Sequence, residues 1–267
     1  MIERITTRDG LSLVVEHHAV ANPRARLVIV HGYAEHRRRY DHVVAKLRER
    51  GFECHTFDLR GHGESEGPKA HVSRFEDYLE DLDAVAKTVA KPAMLLGHSL
   101  GGLISLAYVR AHPETFTALV VSSPFLGPAF PVPKVQAIFA QLAARITPAI
   151  PIPSPLGPHW VSRDPEEVRK YASDPLVHRI TTPRWFTEVT RAQAELIEHA
   201  GEIKTPTLFL LAGEDHIADH QLGRAMSEKM SFADVRIYPE LYHEVFNELA
   251  DDRARVLDDL TDWLEAR

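Results

Sequence analysis

At 267 residues, with 44% apolar and 26% charged positions, the chain is long enough to bury one large core and has the composition of a globular protein. Its net charge of −7, with both signs mixed along the chain, excludes the basic footprint of a nucleic-acid binder. A single cysteine, Cys54, excludes an intramolecular disulfide, and none of the 16 histidines falls in an H-E-x-x-H or Cys/His zinc spacing, so no metal or other cofactor is expected.

The opening stretch MIERITTRDG lacks an apolar signal core, and no run approaches the roughly 18 apolar residues of a membrane span, which predicts a cytoplasmic protein. From residue 27 onward short apolar runs alternate with amphipathic stretches, the pattern of strands joined by crossover helices. RLVIVHG is predicted as a buried strand, and DHVVAKLRERG as a helix with Val43, Val44 and Leu47 on one face and Gly51 just past its end. FECHTFDL (a strand holding Cys54 as a buried thiol), FEDYLEDLDAVAKTVA (helix), AMLLGHS (strand), GGLISLAYVRAH (helix) and ALVVSSP (strand) continue the alternation. Three such units in succession predict a doubly wound α/β fold on a mostly parallel sheet.

The rhythm then breaks. Nine of the 18 prolines lie in the 35 residues from Pro124 to Pro158, too dense for helices or central strands of the main layer. An insertion, a cap over 125–186, is therefore expected between core segments 1–124 and 187–267. Inside it KVQAIFAQLAARI aligns Val135, Ile138, Phe139, Leu142 and Ile146 on one helical stripe. That stripe either packs the helix onto the core or faces a site, with Ile138 and Leu142 lining an entrance for acyl chains or touching lipid aggregates at a membrane periphery. The alternation resumes with TPTLFLLAGEDH (strand and loop), QLGRAMSEKM (helix), ADVRIYPE (strand) and DRARVLDDLTDWLEA (closing helix).

The stretch LLGHSLGG carries the chemistry. A serine at a tight strand-to-helix turn takes a strained backbone, and Gly97 and Gly101, two residues to either side of Ser99, keep neighbouring side chains from colliding. By composition a G-x-S-x-G arises in roughly one chain in ten of this length, so its place between an apolar strand and a helix carries the weight. A serine hydroxyl needs a base, and in such folds the partners follow in the order acid, then histidine. Asp215, in the loop after TLFLLAG, is the expected acid, ahead of Glu214, Asp219 (placed to cap the next helix) and Asp234 (before a strand). His243, between VRIY and the last helix, is the expected base, ahead of His216 and His220. The oxyanion hole is expected from the backbone N–H groups of Leu100 and Tyr33, the latter in the loop after LVIVHG, where its ring also shields the turn.

With these residues in place, the chain resembles the monoacylglycerol lipases of the α/β-hydrolase superfamily, in its serine-aminopeptidase-like group. The resemblance runs along nearly the whole chain and is carried by HGYAEHRRRY, DLRGHGESEG, GHSLGG, YASDPL, AGEDHIAD and YHEVFNE. It implies an α/β-hydrolase fold whose inserted cap covers an apolar acyl tunnel, and an ester hydrolysis that releases fatty acid and glycerol from a small lipid ester. It further implies that Glu35, Arg39, His98 and Tyr171 hold the glycerol headgroup. Their spacing alone fits a local Glu35–Arg39 ion pair equally well. Phe246 stands where mammalian members carry a histidine, and Ala218 where they carry a cysteine. A lysophospholipase or broad carboxylesterase is the alternative, and a non-catalytic hydrolase-fold binding protein a remote one.

Overall fold

The computed structural model describes residues 1–267, apart from the side chains of Lys134 and Ala137. The chain opens with a hairpin of β1 (Ile2–Thr6) and β2 (Ser12–His18). Then come β3 (Ala25–Val30), α1 (Asp41–Glu49), β4 (Phe52–Phe57), α2 (Glu76–Thr88), β5 (Ala93–His98), α3 (Leu100–Ala111) and β6 (Leu119–Ser122). The insertion holds α4 (Lys134–Ile146), β7 (Ile152–Pro153), α5 (Pro165–Ser173) and β8 (Ile180–Thr181). It returns through α6 (Pro183–Glu198) to β9 (Thr207–Ala212), α7 (His220–Ser227), β10 (Ala233–Tyr238) and α8 (Ala250–Glu265).

Eight strands form one sheet in the order β1-β2-β4-β3-β5-β6-β9-β10. Within this sheet β2 alone points opposite to the other seven strands. This is the mostly parallel, helix-flanked sheet of an α/β-hydrolase. The hairpin was not among the expected elements, because β1 alternates exposed and half-buried residues and has too little apolar contrast to stand out.

Alternating residues of each central strand feed two cores. Val28 and Val30 join the helices α2, α3 and α6 on one face, while Leu27 and Ile29 join α1 and α8 on the other. Burial on both faces is why these strands read as unbroken apolar runs. Cys54 lies in the second core, its thiol pushed up to about 12 by burial.

The helix α6 begins inside the span expected for the cap. Thr182 caps it by accepting the Trp185 N–H at 3.3 Å, Pro183 occupies its first turn, and Trp185, Val189, Ala192 and Leu196 join the main core. The expected boundary at residue 186 thus falls within a core-packed helix. The α4 stripe does not pack onto the core. The helix leans on α6 through its small face, where Ala144 is buried and its carbonyl accepts from Arg184 at 3.0 Å. A small-residue face allows the closer approach of two helices, which leaves the bulky stripe on the opposite side, facing outward.

The junction of β5 and α3 leaves no room for side chains at its two glycines. A methyl added at Gly101 would lie 2.2 Å from the Val30 carbonyl oxygen, and one at Gly97 2.4 Å from that of Gly101. Because both obstacles are backbone, Gly101→Ala is expected to cost about 1–3 kcal/mol by overpacking. The measurement is the denaturant midpoint of unfolding, and an unchanged midpoint would contradict this packing.

Candidate active site

Ser99 is the entire turn between β5 and α3, and its backbone sits at φ 53 and ψ −116, in a region costly for a residue with a side chain. Three backbone hydrogen bonds hold it there. Its N–H donates to Ser122 O at 2.9 Å, and its carbonyl accepts from Phe125 N at 2.9 Å and Leu103 N at 3.1 Å. The hydroxyl is thereby carried clear of the sheet edge, where it meets His243 Nε2 at 2.9 Å.

His243 Nδ1 lies 2.8 Å from Asp215 Oδ2, completing a chain of three side chains, all buried. Asp215 is aimed by its own loop, since Oδ1 accepts the N–H groups of Ile217 and Ala218, each at 2.8 Å. With both backbone donors on one oxygen, the other points at the imidazole. Burial favours the neutral ring of His243, but the Asp215 carboxylate and its hydrogen bond, with smaller contributions from Glu244 and Glu35, outweigh it and raise the pKa above its ordinary value. The rival acids lie elsewhere: Asp219 caps α7 through Gln221 N, Asp234 accepts from Trp263 Nε1, and Glu214 is exposed. His216 packs edge-on against Tyr242.

The backbone N–H groups of Tyr33 and Leu100 donate to no described group. The Tyr33 hydroxyl donates to Ile180 O in β8, and its ring packs on Trp185 at 4.2 Å, so the side chain ties this loop to the insertion. The loop is fixed from below by His31, which sequence reasoning passed over. Its Nδ1 donates to Gly32 O at 2.7 Å and its Nε2 accepts the Leu59 N–H at 2.9 Å. Full burial, with His62 nearby, holds the His31 pKa well below its ordinary value, so the ring is neutral, as this donor–acceptor pair requires.

A narrow cleft above Ser99 is lined by the polar residues Tyr33, Glu35, His98, Tyr171, His243 and Glu244 and by the apolar Leu156, Val161 and Ile217, which cluster with Tyr171. Ile138 and Leu142 are not among its walls. They are 62% and 52% exposed, because α4 rests on α6 by its alanine face, and the acyl-route expectation for these two residues is corrected accordingly. The residues matched to the headgroup divide. Glu35, His98 and Tyr171 border the cleft, whereas Arg39 lies behind it, with the Tyr171 ring 5.0 Å from its guanidinium. His98 is held by Ser122 through Nδ1, and burial beside His243 keeps it neutral. Phe246, at the position of the mammalian histidine, is buried in the second core and does not reach the cleft.

Glu244 is the wall residue that sequence reasoning missed. Its only signal was adjacency to His243 in YHEVFNE. It accepts from Arg39 Nη2 and, at 2.7 Å, from Asn247 Nδ2, while its backbone N–H donates to Val161 O in the insertion at 2.8 Å. The same loop is braced by Glu248, which accepts from Tyr242 N at 2.8 Å and from Arg163 Nε at 3.0 Å. Among the described residues no group of three or more His, Cys, Asp or Glu side chains is arranged to hold a metal ion. The arrangement can nonetheless move a proton from the Ser99 hydroxyl to an oriented imidazole beside two unengaged N–H donors, which suits acyl transfer.

Comparison with known proteins agrees with this geometry. The family model described as serine aminopeptidase, S33 matches residues 21–250. A monoacylglycerol lipase of Mycolicibacterium smegmatis is 33% identical over 91% of this chain and 89% of that protein. The phospholipase YtpA of Bacillus subtilis is 29% identical over 85% of this chain and 90% of that protein. Among solved structures, a monoacylglycerol lipase of Paleococcus ferrophilus superposes with a TM-score of 0.88 at 29% identity, covering 94% of this chain and 98% of that one. The chain belongs to the serine aminopeptidase S33 family of α/β-hydrolases and is similar to its monoacylglycerol lipases along nearly the whole length.

Proposed function

We propose that this protein is a serine esterase that cleaves monoacylglycerols to fatty acid and glycerol, with the insertion from residue 125 to the start of α6 acting as a cap over the site. The observation that supports this most is the continuous Ser99–His243–Asp215 contact beside a cleft lined by both polar and apolar side chains. Ser99 Oγ attacks the ester carbonyl as its proton passes to His243 Nε2, and Asp215 keeps the imidazole in the required tautomer. The N–H groups of Tyr33 and Leu100 hold the oxyanion. His243 then protonates the departing glycerol oxygen, and a water deprotonated by the same ring releases the acid from Ser99. The alkyl chain lies towards Leu156, Val161 and Ile217, and the glycerol towards His98, Tyr171 and the carboxylates. A phospholipase among the relatives keeps lysophospholipids as the second reading. Rates on monoolein, lysophosphatidylcholine and nitrophenyl butyrate separate the two.

Lipid reaches the protein through α4 in this reading. Val135, Ile138, Phe139, Leu142 and Ile146 are all more than half exposed on one stripe, and no described helix is long and apolar enough to cross a membrane. Such a face suits shallow insertion into an aggregate surface. Ile138→Ser with Phe139→Ser is expected to reduce sedimentation with phosphatidylcholine vesicles while sparing hydrolysis of a dissolved butyrate ester. Undiminished vesicle binding would remove α4 from this role.

Ser99→Ala should lower kcat by roughly 10⁶ and abolish labelling by a fluorophosphonate probe without unfolding the chain. Turnover within tenfold of wild type would refute the nucleophile. Asp215→Asn should lower kcat by about 10⁴, whereas Asp219→Asn, which keeps a side-chain acceptor at a helix cap, should leave kcat and stability nearly unchanged. Since the base works only when neutral and its pKa is raised in the folded protein, kcat/KM should fall on acidification through a midpoint above about 6.5. A midpoint below that value would contradict the buried carboxylate environment of His243.

A further inference from the structure

The acidic residue matched to the headgroup, Glu35, has both carboxylate oxygens engaged by the protein. Its Oε1 takes the Gly32 N–H and the Tyr40 hydroxyl, the latter at 2.8 Å, and its Oε2 takes Arg39 Nε at 3.2 Å. All three partners are donors, and two of them belong to the loop and turn that carry Tyr33. Glu35 therefore fastens that loop. Glu244 differs: its Oε2 is engaged by Arg39 and Asn247, while its Oε1 has no partner among the described residues, and the residue borders the cleft beside His243 at 5% exposure.

The charges around the cleft are unbalanced. Three carboxyl groups, those of Asp215, Glu35 and Glu244, surround the reacting position, against the single guanidinium of Arg39, which is already shared by two of them. A headgroup that brings its own negative charge would meet a wall with no spare cation. A neutral polyol would meet an acceptor for its hydroxyl proton, with the Tyr171 hydroxyl close by.

We propose that Glu244 is the specificity-determining residue for the leaving group: its free Oε1 accepts a hydroxyl hydrogen from a neutral polyol and its charge turns away phosphate-bearing headgroups. Glu35, by contrast, is a positioning residue that acts through Gly32 and Tyr40. This inference rests on the ester-hydrolase reading above and sharpens it, since it separates monoacylglycerols from anionic lysophospholipids by electrostatics and hydrogen bonding, which discriminate more strongly than fit to an apolar wall does.

The test compares three oleoyl esters that share an acyl chain, namely monoolein, methyl oleate and oleoyl lysophosphatidate, on wild type and Glu244→Gln. Wild type should prefer monoolein to both others. In E244Q the kcat/KM ratio of monoolein to methyl oleate should fall roughly tenfold to hundredfold, the worth of one hydrogen bond to a charged acceptor, and the ratio of lysophosphatidate to monoolein should rise. The acid limb should also move to lower pH, because a carboxylate that supports the protonated form of His243 is gone. A purely structural role would lower all three substrates together and leave the limb in place, and that outcome overturns the proposal. Should E244Q fail to fold, as judged by its melt, the wild-type panel still decides: equal kcat/KM for lysophosphatidate and monoolein refutes the exclusion. A wild type that hydrolyses no ester at all would sink the esterase reading instead.

Discussion

The backbone of Ser99 is held at a positive φ that its side chain makes costly, and the surrounding structure is organised to keep it there. The turn can be this tight only because α3 presses against β3 and β5 at Gly97 and Gly101, where carbonyl oxygens of Val30 and Gly101 occupy the space a side chain would need. Hydrogen bonds from β6 and the segment after it then close around the same residue, with Ser122 taking its N–H and Phe125 donating to its carbonyl. Strand spacing, helix approach and hydroxyl direction are thus one constraint expressed at three scales.

The other members of the site are aimed by local hydrogen bonding of the same economy. Asp215 is turned by two backbone N–H groups of its own loop, and His31 is locked as a neutral ring that stitches Gly32 to Leu59. A buried ion pair of Arg37 with Asp58, extended to Glu64 and Glu16, ties the loop after β3 to the loop after β4. Truncating one partner of such a pair strands a buried charge, so the loops that frame the cleft depend on each other. On the far side Arg163 bridges Glu248 and Asp252, joining the insertion to the segment that carries His243.

The central strands were legible because burial on both faces leaves long apolar runs, and the helices because their apolar residues recur at 3.6-residue spacing. Ser99, Asp215 and His243 could be picked out in the sequence because each follows a strand in chain order, and β5, β9 and β10 end at one edge of the same parallel sheet. What periodicity does not encode is direction. The α4 stripe announces an amphipathic helix without saying that its alanine side is the one chosen for packing, so Ile138 and Leu142 point outward. Nor does spacing reveal which acceptors are already used. Glu35 and Glu244 look alike as letters, and only their partners distinguish a carboxylate with both oxygens engaged from one with an oxygen to spare. The hairpin of β1 and β2 escaped for the opposite reason, since a half-exposed edge strand carries little apolar contrast.

The crowding of carboxylates around a single arginine bears on the end of the reaction as well as its start. An ester arrives without charge, but the acid freed from Ser99 becomes an anion as it forms, within reach of Asp215, Glu35 and Glu244 and with Arg39 already committed to two of them. The walls that tolerate the reactant therefore repel the product. Departure of the fatty acid is favoured by charges built into the fold and its rebinding is opposed by them, so the accumulating acid is a weak inhibitor of the cleft while the equilibrium of the reaction is untouched.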